Sequence, residues 1–189
     1  MNQFIIFALL FVYAIPQAFA GSGGVEDSEE SIHFGVKLGP TNVVDNPNGY
    51  GLFYNYVIVP PNTFKQNELL SKLTIAFEAE YVDLGRSRRS YYIVQVANHK
   101  ASTYGVVGMA SYPINQLFSV LAKAGLASAT RKFQCIVTGC GVDYSITTLG
   151  WHTGIEAQYK LTPQINFSVG YDHYPNGFRM TFGSIASRF

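Results

Sequence analysis

The sequence predicts an all-β protein, an eight-stranded antiparallel β-barrel that crosses a membrane. Three observations carry this expectation. Charged residues are only 13% of the 189-residue chain, about half the usual share of a soluble domain. Segments of alternating polarity recur from Ile32 to the C-terminus. After residue 20 no apolar run approaches the ~18 residues a membrane helix needs, so a chain in lipid must close a sheet on itself to satisfy its backbone.

Composition supports the same class and excludes others. Thirteen Tyr and 14 Phe bring the aromatic share to 15%, beside 18 Gly, which suits strands whose outer face meets lipid. The formal net charge is +1, which provides no field to recruit nucleic acid. A soluble β-sandwich has the same period of two. It differs only in which face is wet.

The first twenty residues stand apart. Phe4–Ala14 is almost wholly apolar, Pro16 interrupts it, and Ala18-Phe19-Ala20 places small residues where signal peptidase cleaves. The stretch is short for a span of ~20 residues, so residues 1–20 are expected to be a signal peptide, although Met1-Asn2-Gln3 lacks the usual basic residue. Residues 21–31, Gly-rich and then acidic (Glu26, Asp27, Glu29, Glu30), are expected to form a flexible leader. The barrel is expected to occupy residues 32–189.

The strands follow from the alternation, since a period of two sends successive side chains to opposite faces. In Leu73–Asp83 the residues Leu73, Ile75, Phe77, Ala79 and Tyr81 share one face, opposite Thr74, Ala76, Glu78 and Glu80. Around Trp151–Lys160, Leu149, Trp151, Ile155, Ala157 and Tyr159 oppose His152, Glu156, Gln158 and Lys160. Ile165–Asp172 and Phe118–Leu126 repeat the pattern. Ile32–Leu38, Gly49–Ile58 and Tyr104–Tyr112 show it more faintly, and Arg179–Phe189 has a muddled phase. About eight strands result, the smallest number that closes a membrane barrel. Short turns are expected at 113–116 and 161–164, and long polar links at 40–48, 85–102 and 129–146. The link at 59–72 is long for a periplasmic turn, and its Leu69 and Leu70 suggest a brief helix.

The chain resembles the OmpA-like family of small outer-membrane β-barrels. The likeness rests on Phe77-Glu78-Ala79-Glu80-Tyr81-Val82-Asp83-Leu84-Gly85, on Tyr112-Pro113-Ile114-Asn115, on Ala122-Lys123-Ala124-Gly125-Leu126, on the segment Gly154–Pro163, and on Tyr171-Asp172-His173-Tyr174. It implies a barrel assembled by the outer-membrane insertion machinery with a C-terminal aromatic as assembly signal, and Phe189 fits that role. Ser187 and Gly183 depart from the usual apolar pattern there. The peptidoglycan-binding domain of larger members is not expected.

Several groups of residues invite a chemical reading. His173-Tyr174-Pro175-Asn176-Gly177 resembles the His-x-Ser-Asn segment of outer-membrane lipid A deacylases, but Pro175 stands where the serine nucleophile would be. A tight turn suits these residues better. Cys135 and Cys140 are the only cysteines, and in an oxidising compartment they are expected to form a disulfide, adding about 1–3 kcal/mol. No metal and no cofactor is expected. The polar faces place Lys37, Glu78, Glu80, Lys123, His152, Glu156, Lys160 and Asp172 in the lumen. A salt-bridge network that fills the interior is the plainer expectation, with a narrow ion path or paired catalytic carboxylates as alternatives. Arg86, Arg88 and Arg89 follow a strand end, where they either contact lipopolysaccharide phosphates or are solvated loop charges. Tyr91–Val96 is β-prone and would extend a hairpin above the membrane, with an edge open to a partner strand.

The expected location is the Gram-negative outer membrane, reached through the periplasm. The expected role is non-enzymatic, structural or surface-interacting, as in an adhesin or envelope stabiliser. The alternatives are a small-solute pore and a lipid A-modifying enzyme. Expected partners are outer-membrane lipid and lipopolysaccharide, the assembly machinery and an extracellular host ligand, with no nucleic acid.

Overall fold

The computed structural model describes residues 32–43, 45–59, 68–91, 95–135 and 143–189. The expected signal peptide and leader lie outside these residues. Eight antiparallel strands follow one another around a closed barrel. They are β1 (Ile32–Pro40), β2 (Asn48–Val59), β3 (Thr74–Tyr91), β4 (Gln95–Pro113), β5 (Phe118–Cys135), β6 (Tyr144–Lys160), β7 (Ile165–His173) and β8 (Arg179–Arg188). Strand β1 closes on β8 in a register running from His33↔Arg188 to Leu38↔Gly183. Followed round the barrel, the pairing that leaves Ile32 through Tyr56, Phe77, Gly108, Ala124, Thr153 and His173 arrives at Arg179. The next residue, Met180, bridges Thr41 at the far end of β1. A stagger of that size means strongly tilted strands.

The two faces settle the choice between sandwich and membrane barrel. Phe77 is 53% exposed and Trp151 71% exposed, whereas Glu78 is 1% exposed. Leu52, Tyr54, Val106, Leu126, Ile155 and Val169 also point outward and are exposed. Apolar outside and charged inside is the inverse of a soluble protein and suits a lipid solvent. Tyr50, Tyr81 and Tyr104 mark the upper rim of the apolar band, and Phe118 and Tyr159 pack at 4.9 Å near its lower rim. These are the two interfaces at which amphipathic rings sit. Among the described residues no helix is long and apolar enough to cross a membrane.

The turns are built by side chains that stand in for backbone partners. Asn115 Oδ1 accepts the Leu117 and Phe118 amides at 2.9 Å each, and Thr162 Oγ1 accepts the Gln164 and Ile165 amides at 3.2 and 3.0 Å. The brief helix suggested by Leu69 and Leu70 is α1 (Glu68–Ser71). Thr41–Pro47 and Tyr174–Phe178 connect β1 to β2 and β7 to β8 at the opposite end of the barrel.

Two expected links turn out to be largely strand. Residues 85–91 and 95–102 belong to β3 and β4, and residues 129–135 and 144–146 to β5 and β6, in ladders that run to Tyr91↔Gln95 and Phe133↔Tyr144. These four strands have 17 to 19 residues against 9 to 12 in the others. Above the bilayer both faces of a sheet are wet, so polarity stops alternating and the period disappears from the sequence. Strand β8 hides its phase for another reason. Its inward residues include Met180 and Phe182, both buried, while Thr181 and Gly183 face out.

Phe77→Arg is expected to place a charge near the middle of the bilayer at a cost of about 2–4 kcal/mol. The measurement is the folded fraction in lipid vesicles, read from the heat-dependent gel shift. Glu78→Cys in the same vesicles should resist bulky water-soluble thiol reagents.

Candidate functional site

The lumen is filled in layers. At the end that carries the short turns lies a cavity of about 450 Å³ bordered by His33, Asn55, Gln158, Lys160, Asn166 and Arg188. Lys160 is exposed there. It has the inward phase expected of it, but it sits below the buried charges instead of among them, because it is the last residue of β6.

Above the cavity Lys123 Nζ binds Glu78 at 3.0 Å and Glu156 at 2.8 Å. Higher still, Lys37 Nζ binds Glu80, Asp172 Oδ2 at 2.8 Å and the Tyr174 hydroxyl at 3.3 Å. Tyr174 donates in turn to Asp172 Oδ2 at 3.0 Å. His152 stands between the two carboxylates of this layer, with Nδ1 3.1 Å from Glu80 and Nε2 3.5 Å from Asp172. The rings of Phe53 and Phe182 separate the layers. Lys37 lies 5.0 Å and Lys123 5.5 Å from the Phe182 ring centre, and both ammonium groups lie about 6 Å from that of Phe53. A Cβ at Gly154 would collide with the Asp172 carboxylate, so glycine lets β6 and the ion cluster approach. Val43, Val82, Leu84, Tyr174, Phe178 and Met180 form an apolar lid over the upper layer. Val57, Ala76, Val107, Met109 and Leu121 form a second apolar cluster lower in the barrel.

Two ammonium groups, one imidazole and four carboxylates are thus buried together. Removing such charges from water is costly unless each finds partners, and here the cross-barrel pairs supply them. Glu80, His152 and Asp172 have ligand atoms within 4.8 Å of one another. Lys37 already bridges both carboxylates, which makes the cluster an ion-pair centre, with an ammonium where a metal cation would compete. Tyr174, Phe53 and Phe182 are the participants that sequence reasoning missed. Phe53 shares the phase of Gly51 and Asn55, and that parity was the available signal.

The second region lies above the membrane, where β3 to β6 extend past their neighbours as a four-stranded sheet. The ladder places Arg86, Lys100, Lys132 and Ser145 in one cross-strand row and Arg88, Asn98 and Gln134 in the row above. Arg89 pairs with Ala97, which pairs with Cys135, in phase with the other face. By register, Arg86 and Arg88 share one phase of β3 and Arg89 has the other. On the face that continues the lumen, His99 meets Phe133 edge-on at 4.5 Å, Phe133 stacks on Tyr144 at 4.4 Å, and Arg131 lies 4.7 Å over the Phe133 ring. The expected Cys135–Cys140 bond falls on Cys140, which is outside the described residues. At 83–85 the β3–β4 register shifts, with Gly85 at φ 99° and its amide on the Asp83 carboxylate at 2.9 Å. His173–Gly177 forms the turn into β8, with Pro175–Gly177 in a 3₁₀ turn and Asn176 at φ 64°.

The chain matches the family of outer membrane protein β-barrel domains over residues 5–184. It belongs to that family. As an outer-membrane barrel it resembles solved structures at low identity. The attachment invasion locus protein Ail of Yersinia pestis, crystallised with the heparin analogue sucrose octasulfate, is 16% identical with a TM-score of 0.56, over 85% of this chain and 97% of that one. Neisserial surface protein A is 12% identical at 0.52, over 86% and 98%. The N-terminal barrel domain of Pseudomonas aeruginosa OprF is 12% identical at 0.52, over 84% and 97%. No curated protein matches the chain. The protein is an eight-stranded barrel of the outer membrane, so its short turns face the periplasm and the four-stranded extension faces the exterior.

Lys123→Met should strand Glu78 and Glu156 without their cation and destabilise the barrel by about 3–5 kcal/mol. Lys160→Met, at the exposed rim, should change stability by less than about 0.5 kcal/mol. Urea unfolding in vesicles measures both, with the single lipid-facing Trp151 as fluorescent reporter.

Proposed function

We propose that this outer-membrane barrel is a surface-contact protein whose working part is the extracellular extension of β3 to β6. The observation that carries this reading is the open face of that extension. Tyr144 and Ile146 are exposed on it beside the Arg131–Phe133–His99 stack. Aromatic side chains next to an arginine are the residue types that anchor protein contacts. Strand β6 pairs with β7 only from Thr153 downward, and the turn at Pro175 packs on Gly150, so Tyr144–Leu149 is an edge without a strand beside it among the described residues. An extended segment of a partner would add to that edge through main-chain hydrogen bonds. Ail, a structural neighbour, is an attachment protein by name, and the expected host-facing role of this chain agrees with it. In this reading the filled lumen is structural and neither a pore nor a reaction site, and Phe189, whose amide donates to the Ile32 carbonyl at 2.9 Å, acts during assembly.

A laboratory Gram-negative strain that does not adhere to epithelial monolayers should gain adhesion on expressing the protein. The double variant Phe133→Ala, Tyr144→Ala should lose most of the gain while keeping its heat-dependent gel shift. Regular conductance steps in planar bilayers, with no adhesion, would overturn the proposal in favour of a pore.

A further inference from the structure

The outward face of the same extension carries a different surface. Arg86 on β3, Lys100 on β4 and Lys132 on β5 stand directly opposite one another in the ladder. Arg86 and Lys132 are exposed. Adjacent strands are ~4.8 Å apart, so three cations follow one another at close range, and like charges directly opposite destabilise a sheet. Asp83 lies 3.3 Å from Lys100, and it is already engaged by the Tyr50 hydroxyl at 3.2 Å and the Gly85 amide at 2.9 Å. Three cations thus stand against this one shared carboxylate in the row's immediate ladder positions.

Its height identifies the counter-charge. Two outward positions below it lies the row Tyr81–Tyr104–Ser128–Leu149, the upper limit of the apolar band. Between them lies Asp83–Ser102–Thr130–Thr147, which is polar, with the Thr130 and Thr147 hydroxyls 3.0 Å apart. Four residues along a strand tilted by ~40° rise about 10 Å. Interfacial tyrosines sit at headgroup level, so the cations stand against the sugar and phosphate layer of the outer leaflet.

We propose that the Arg86–Lys100–Lys132 row binds the phosphate groups of lipopolysaccharide. The site rests on the outer-membrane placement of the barrel and is independent of the contact face. Arginine holds a phosphate through two parallel N–H donors and lysine as a point charge. A ladder position fixes all three at strand spacing, so phosphates on one or two lipid molecules can bridge the row. Bound phosphate removes the repulsion that the row imposes on the sheet.

The experiment compares wild type with the triple variant Arg86→Ser, Lys100→Ser, Lys132→Ser, each refolded into phosphatidylcholine vesicles with and without lipopolysaccharide. The gel shift in plain vesicles establishes that both are folded, and loss of that shift in wild type would sink the barrel reading itself. In plain vesicles the variant should be at least as stable as wild type, because repulsion is gone. With lipopolysaccharide the wild type should gain thermal stability and the variant should not, and lipopolysaccharide affinity should differ roughly tenfold or more between them. Dephosphorylated lipopolysaccharide should give the wild type no gain. A merely structural role for the three residues predicts lower stability of the variant in both membranes, and that result would overturn the proposal. So would equal gains for the two proteins, equal binding of the dephosphorylated lipid, or displacement of lipopolysaccharide by sucrose octasulfate at equal concentration, which would mark a site for soluble polyanions.

Discussion

The structure depends on the closure of β1 against β8. In hydrocarbon an unpaired amide or carbonyl has no water to fall back on, and an open sheet edge costs several kcal/mol for each exposed group. The ladder His33↔Arg188 to Leu38↔Gly183 removes that edge. Once the sheet of eight strands is closed, its interior is only wide enough for side chains, and everything on the inward phase must fit and be satisfied there. Closure thus creates the requirement that the ion clusters meet. Lys37 reaches Glu80 on β3 and Asp172 on β7, and Lys123 reaches Glu78 on β3 and Glu156 on β6. Lys37 joins strands two away on either side of β1, and Lys123 joins β3, two strands away, to the neighbouring β6, so the full set of pairs exists only when these strands are already in register. A one-residue slip of β3 would send Glu78 and Glu80 to the lipid and Phe77 and Ala79 inward. The charges therefore specify register as well as fill space.

Much of this was legible because lipid and lumen differ so strongly. Wherever a strand separates them, as in Leu73–Asp83 or Ile155–Asp172, period two appears in the sequence and assigns each residue a side. The lumen residues could be named from phase alone, but their partners could not. Which lysine meets which carboxylate depends on stagger around the barrel, a property of closure that no single segment encodes. Lys160 shows the limit of phase reasoning, since phase assigns a face and says nothing of depth. Arg86, Arg88 and Arg89 show a second limit. Counting along a straight strand puts Arg86 and Arg88 in one phase and Arg89 in the other, yet the bulge at Asp83–Gly85 resets which phase continues the outer face. Lys100 and Lys132 join Arg86 only through the ladder, being 14 and 46 residues away in the chain.

The long strands divide the protein into two regimes with different rules. Between the tyrosine rows the outer face tolerates no charge and the inner face no unpaired one. Beyond the upper tyrosines β3 to β6 continue into water, where backbone edges can be hydrated and side chains are free to serve recognition. Stability is concentrated in the closed part, where all eight strands pair on both sides. The extension draws on that stability without contributing to either buried apolar cluster beyond Ala101 and Ala129, which lie at its base. A rigid closed base carrying a polar, edge-bearing sheet is an arrangement in which binding residues can vary while assembly is preserved.

The lysines summarise how location gives the same side chain different meanings. Lys37 and Lys123 are buried, each contacts at least two carboxylates, and both stand over phenyl rings. Their charge is consumed inside the protein and leaves nothing to attract a ligand. Lys132, by contrast, is exposed and stands opposite Lys100 and through it Arg86, cation against cation. Folding alone does not favour a row of like charges in a sheet, since replacing one member with serine would relieve the repulsion. Its presence at the one height where a membrane offers dense phosphate is accounted for when the membrane is counted as part of the folded state. On that view the barrel has two solvents to satisfy, hydrocarbon for the apolar band and an anionic glycolipid layer for the cations above it, and the tyrosine row marks where one gives way to the other.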